Sequence, residues 1–240
     1  MEELPYPFTF EELTEEEREL MKLHGDRGRD VVRRASSKCC YVRRILKFGS
    51  LLYNFKPRPD DIWLIGYPRS GTTMTQEILY ILGTDFDYEK ARTTVMDIRF
   101  PYLEHSLLRC EDDKAAAKVH TIKDPKARSL AEALLTPACI KLEKITEKRF
   151  IKSHMGFEMV HPELLEIGCK VVFIVRNIKD CIASDYYFPA NAQAKKEYGI
   201  LKFWELYKRH LCVMSNYFEI LKEAWERRNN KICYSYFTKR

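Results

Sequence analysis

The sequence predicts an α/β protein, a central parallel sheet with helices on both faces, organised around a phosphate-binding loop. Three observations carry this expectation. An apolar run, Ile62-Trp63-Leu64-Ile65, leads into Gly66-Tyr67-Pro68-Arg69-Ser70-Gly71-Thr72-Thr73 and then into a helix-like run over residues 74–82. Residues 170–175, KVVFIV, are a nearly continuous β-branched run of the kind found in buried parallel strands. Strand-like and helix-like segments alternate along the chain, the pattern of a parallel sheet covered on both sides.

The elements follow in order. Thr14 with Glu17 forms a capping box and starts a helix running to about His24. Residues 27–47 carry a dense set of Arg and Lys side chains and read as a solvated helical face. Residues 55–61 break the chain before the first strand. A second strand over 149–151 ends in Lys152-Ser153-His154, and Pro162 opens a helix over 162–167. After the 170–175 strand, Asn177 caps a helix through Ile178, Ile182 and Ala183. Gaps of three and four from Phe203 through Tyr207, Leu211, Met214, Phe218 and Leu221 to Trp225 predict one long amphipathic helix on the core. Residues 232–237 form a last strand. The parallel strands are thus expected at 62–66, 149–153, 170–175 and 231–236. Residues 84–148 show no legible pattern.

Composition narrows the classes. A chain of 240 residues, 45% hydrophobic and 12% aromatic, suits one globular domain over 1–240. The net charge of +6 suits an anionic ligand and is too small to argue for nucleic acid. No apolar run is long enough for a membrane span, and the acidic N-terminus lacks a secretory pattern. The eight Cys form no CxxC pair and no zinc spacing, so reduced thiols, a cytoplasmic location and no metal site are expected.

The chemistry should lie beyond the carboxyl ends of the strands. The Gly66–Gly71 spacing is that of a P-loop, whose backbone N–H groups cradle an anion at a helix N-terminus. The lysine of an ordinary ATPase is replaced by Thr72, and the loop's cation is Arg69. The 170–175 strand ends in Arg176, where P-loop NTPases commonly place a magnesium-holding Asp. The sheet is therefore P-loop NTPase-like, but the site suits a nucleotide with two separated anionic groups, one on the loop and one near Arg176. Strand alternation places Lys152 and His154 on one side. His154 has the chemistry to take a proton from an attacking hydroxyl, while Lys152 and Arg69 stabilise the leaving group. Two other readings stand beside this one: a small-molecule kinase on the same fold, and a catalytically impaired, nucleotide-binding remnant.

These residues resemble the cytosolic sulfotransferase family. Tyr67 to Thr73 is similar to the family's 5′-phosphosulfate loop YPKSGTTW, Lys152-Ser153-His154 to its KTH segment, and Arg176-Asn177-Ile178-Lys179-Asp180 with Ser184 to its 3′-phosphate segment. The ordered match spans about 60–237. The opening LPYPF, Arg69 and SGTTM also resemble insect and retinol dehydratase-like members. The resemblance implies transfer of a sulfuryl group from 3′-phosphoadenosine-5′-phosphosulfate to a hydroxyl or amine of a small, hydrophobic acceptor. It implies that Arg69, Ser70, Gly71, Thr72 and Thr73 hold the 5′ side of the nucleotide, that Arg176 and Ser184 hold the 3′-phosphate, and that Tyr236 also contacts the nucleotide. His154, Lys152 and Arg69 would be catalytic, and Met74 and Phe188 would occupy acceptor positions. The family continues past the length of this chain with an RKGxxGDW segment near its homodimer contact, so the domain reads as C-terminally incomplete.

Overall fold

Strand β4, Ile62–Gly66, is buried along its whole length, because neighbours flank it on both edges and apolar layers lie on both faces. A computed structural model of the chain shows it at the centre of a four-stranded sheet. The structure describes residues 3–23, 30–108, 119–188, 192–214, 216–230 and 233–238, with the backbone alone at 130, 133–135, 192–198 and 233–238. The sheet order is β5-β4-β6-β7, with β5 at Phe150–Ser153, β6 at Lys170–Arg176 and β7 at Cys233–Thr238. All three pairings are parallel, with Ile65 opposite Ser153 on one side and Phe173 on the other. The four expected strands thus form one parallel sheet; of the last, residues 231 and 232 lie outside the described residues and the strand runs on to Thr238. Trp63, Leu64, Ile65, Ile151, Val171 and Phe173 lie in the core at 1% exposure or less.

Helices complete the layers. After β4, the loop enters α3, Thr72–Gly83, which packs back on the strand. Between α3 and β5 lie short helices α4 (Tyr88–Thr93), α5 (Met96–Arg99), α6 (His105–Leu108), α7 (Pro125–Leu135) and α8 (Ala138–Glu143). The described part of 84–148 is therefore largely helical. Helix α9, Ile178–Tyr186, follows β6, with the Asn177 side chain accepting from Lys179 N at 2.9 Å as its cap.

A second, antiparallel sheet was not anticipated. It joins β1 (Phe10–Glu12), β2 (Val31–Arg34) and β3 (Cys40–Val42). The expected solvated helical face over 27–47 is therefore corrected. Within it, residues 31–34 and 40–42 are strands, and helix α2, Ile45–Tyr53, begins only at its end. Arg34 is 4% exposed and ion-paired to Glu158 at 2.8 Å, while Arg33 pairs with Glu17. The charges are accommodated by distant carboxylates, which sequence-local reasoning cannot supply.

Two of the three helical expectations are also revised. Helix α1 spans Glu15–Met21, with the Thr14–Glu17 capping box intact, and continues as a 3-10 turn over 22–23; His24 lies outside the described residues. The Pro162 element is a single 3-10 turn, Pro162–Leu165. The long amphipathic helix is two helices, α10 (Ala192–Lys208) and α11 (Tyr217–Glu226), and α10 itself is interrupted at Gly199. His210 and Met214 adopt left-handed backbone between them, with φ 56° and 85°, which ends the helical path. The stripe divides accordingly: Phe203, Leu211 and Met214 are buried, whereas Phe218 and Trp225 are more than half exposed.

Candidate active site

The carboxyl ends of β4, β5 and β6 open onto one cavity of about 490 Å³. Arg69 and Gly71 line it from the loop, Thr72 and Thr73 from the start of α3, Lys152 and His154 from the end of β5, Arg176 from β6, Ser184 from α9 and Phe188 from just past it. Segments more than 100 residues apart in sequence thus meet at one edge.

The loop is shaped by its glycines. A Cβ at Gly66 would stand 2.5 Å from the Ile174 side chain and 3.0 Å from its carbonyl, so only glycine lets β4 lie this close to β6. Gly71 has φ 103°, a conformation that side chains disfavour, and it hands the chain into α3. The first N–H groups of α3 have no intrahelical acceptor, and they sit at the positive end of the helix dipole. Ser70 is fully buried, and its hydroxyl donates to Tyr67 O at 2.6 Å, bracing the loop from behind. Arg69 is left-handed at φ 67°, a strained state for a non-glycine residue. Its guanidinium is held by Ser184 Oγ, which accepts from Nε at 3.1 Å, and by the Phe188 ring at 4.6 Å. Arg176 donates to Arg69 O at 3.1 Å and lies 3.7 Å from the Asp180 carboxylate. The loop is therefore tied directly to the end of β6 and to α9.

His154 is 8% exposed, and its Nδ1 lies 2.5 Å from Gly66 O. A carbonyl accepts only, so Nδ1 carries the proton. In the neutral ring that leaves Nε2 as the lone-pair nitrogen, the state a general base requires. Burial pulls the Lys152 ammonium below its usual value, with Arg69 adding to the fall and Glu104 and Asp97 opposing it. Lys152 Nζ sits 5.0 Å over the Tyr102 ring.

Ser70 and Met74 are not among the residues lining this cavity, and of Tyr236 only the backbone is described. Met74 is 61% exposed on α3. Tyr236 lies on β7 with its backbone opposite Ile174.

The sequence reading missed the segment 100–105. Pro101 O accepts from Lys152 N at 2.9 Å and Leu103 N donates to Lys152 O at 2.8 Å, so this segment clamps the outer edge of β5. Tyr102 packs edge-on against His154 at 5.0 Å and stacks on His105 at 5.8 Å, and Tyr102, His105 and Leu108 all line the cavity. A charged residue inside the mostly apolar run Tyr102-Leu103-Glu104-His105-Ser106-Leu107-Leu108 was the one available signal.

Fold and site together define an α/β protein with a P-loop-like turn leading into a helix N-terminus beside a buried imidazole. The sulfotransferase domain model matches residues 59–236, and the chain belongs to that family. Retinol dehydratase solved in complex with androsterone and inactive cofactor PAP has a TM-score of 0.82 and 30% identity over 98% of this chain and 70% of that one. Its complex with retinol and PAP gives 0.81 and 29% over 97% of this chain and 70% of that one. Sulfotransferase 1C2 of Rattus norvegicus is 26% identical over 181 residues, 75% of this chain and 53% of that protein. The chain spans about half the length of the curated relatives it matches. No helix among the described residues is long and apolar enough to cross a membrane.

Proposed function

We propose that the site transfers a sulfuryl group from 3′-phosphoadenosine-5′-phosphosulfate to the hydroxyl, or amine, of a small apolar acceptor. The observation that supports this most is the convergence of Arg69, Lys152, His154 and Arg176 on one cavity, with the His154 Nδ1–H fixed on Gly66 O. The α3 N-terminus with Gly71, Thr72 and Thr73 holds the 5′-phosphosulfate. Arg176 and Ser184 face the 3′-phosphate. Tyr102, Leu108 and Phe188 give the cavity apolar walls, which suits an alcohol of the steroid or retinoid kind bound by the structural relatives.

His154 Nε2 takes the acceptor's hydroxyl proton as its oxygen bonds to sulfur. The bond from sulfur to the 5′-phosphate oxygen breaks, and Lys152, Arg69 and the loop N–H groups stabilise the charge left there. Arg176 stands where a metal-holding Asp would be needed, so these residues fit an anion held by cations and amides. The test is release of 3′-phosphoadenosine-5′-phosphate from the sulfated donor on addition of androsterone, retinol or a simple phenol. Acceptor-dependent release with recovery of a sulfated product supports the reading. Donor binding with no acceptor-dependent release counts against it.

A further inference from the structure

We propose that Glu104 is a positioning residue, whose carboxylate fixes the backbone of Ser153-His154-Met155 and thereby the orientation of the His154 imidazole. The inference rests on the reading of His154 as the base, but its geometry stands independently. Glu104 is fully buried. Its Oε1 accepts from His154 N at 2.5 Å, Met155 N at 3.1 Å and Ser153 Oγ at 3.2 Å. Ser153 Oγ also lies 3.0 Å from Met155 N, which closes a small network at the end of β5.

This network does what the sheet cannot. Regular pairing of β5 with β4 ends at Ser153, opposite Ile65. Beyond that point the backbone N–H groups of 154 and 155 need another acceptor, because a buried donor without one is costly. Glu104 supplies it from the clamp segment, itself paired to Lys152 through Pro101 and Leu103. The backbone of His154 is thus held on one side by Glu104, while its ring is held on the other by Gly66 O.

The carboxyl group is otherwise an expensive choice for this place. Oε2 is buried with no hydrogen-bond partner among the described residues. Burial pushes the Glu104 carboxyl up to about 7, against the pull of its donors and of Lys152. A purely structural acceptor could be an amide or a backbone carbonyl. A carboxylate 2.5 Å from the amide of a base residue makes a stronger, charge-assisted contact and lies within the field of the Lys152 ammonium.

The experiment follows the His154 ring directly, by nitrogen NMR of histidine-labelled protein, together with calorimetry using 3′-phosphoadenosine-5′-phosphate as the probe. The wild-type ring should show the Nδ1–H tautomer. Glu104→Ala should lose that signature while nucleotide affinity changes less than threefold. Glu104→Gln, which keeps an acceptor oxygen, should restore it. Should Glu104→Ala fail to fold, Glu104→Asp supplies the comparison: it withdraws the acceptor by one methylene and should move the His154 resonance in a folded protein. An unchanged His154 tautomer in a folded Ala or Asp variant overturns the proposal. So does a tenfold or greater loss of nucleotide affinity in Glu104→Gln, which would make Glu104 a support of the whole site. With turnover, Glu104→Asp should lower kcat at least tenfold with KM within twofold. A wild-type chain without turnover speaks against sulfuryl transfer, and the tautomer result still decides the role of Glu104.

Discussion

The two ends of the central sheet treat charge in opposite ways. At the amino end, before β4 and β5, Asp61 and Arg149 form a buried pair, 0% and 1% exposed, with Arg149 Nε and Nη2 donating to the two carboxylate oxygens at 2.7 and 2.6 Å. Arg149 also donates to Lys56 O and stacks over Phe55. At the carboxyl end, Arg69 rests on a hydroxyl and an aromatic face, Lys152 on an aromatic face, and Arg176 on a carboxylate 3.7 Å away. One end satisfies its charges fully and serves stability. The other, among the described residues, gathers cations with incomplete neutralisation around a cavity, which suits the anion proposed for it.

Asp61→Ala should show the largest effect. Removing one partner of a buried pair strands the other, which costs about 3–5 kcal/mol. Urea denaturation should show that loss, while the folded variant binds 3′-phosphoadenosine-5′-phosphate with unchanged affinity. A matching fall in affinity would mean that the two ends of the sheet are not separate. Next, at the carboxyl end, His154→Ala should lower turnover by roughly a hundredfold or more while leaving nucleotide affinity within about twofold. Loss of both together, followed by rate and titration measurements, would make His154 a structural residue. Arg176→Ala should weaken nucleotide binding by about ten- to a hundredfold, as expected for a lost charge-assisted bond, with little change in the unfolding midpoint.

A pH-dependent effect should come from Glu104. Its folded carboxyl titrates near 7, above the usual 4.5. An acid whose value is raised by folding contributes its stability at low pH and loses it as pH rises through the folded value. Wild type should therefore lose stability relative to Glu104→Gln between about pH 4.5 and 7. Denaturation curves across that window that stay parallel would contradict the buried carboxyl. The smallest effect should be that of a chelator. With Arg176 where P-loop NTPases place a metal-holding Asp, removing magnesium should change nucleotide affinity by less than about twofold, measured by calorimetry with and without chelator.

The carboxyl edge was legible because its code is local. Gly66 and Gly71 are demanded by close approach and positive φ, the apolar runs 62–65 and 170–175 announce buried strands, and the polar groups that follow them fall at the strand ends. The rest was hidden because its meaning lies in distant partners. Asp61 reads as part of a chain break until Arg149, 88 residues on, arrives beside it. Arg33 and Arg34 read as solvent-facing until Glu17 and Glu158 neutralise them. Glu104 acts on backbone N–H groups of residues 154 and 155, which have no sequence signature at all.

In the proposed function the carboxyl end holds two separated anionic groups of one nucleotide, on the loop and near Arg176. Calorimetric titration of the wild-type chain with 3′-phosphoadenosine-5′-phosphate, and in parallel with adenosine-5′-phosphate, tests it most directly. The account predicts that the 3′-phosphate strengthens binding by about tenfold or more, or at least ~1.4 kcal/mol, and that Arg176→Ala abolishes the difference. Equal affinity for the two nucleotides, or a difference that survives in Arg176→Ala, would contradict it.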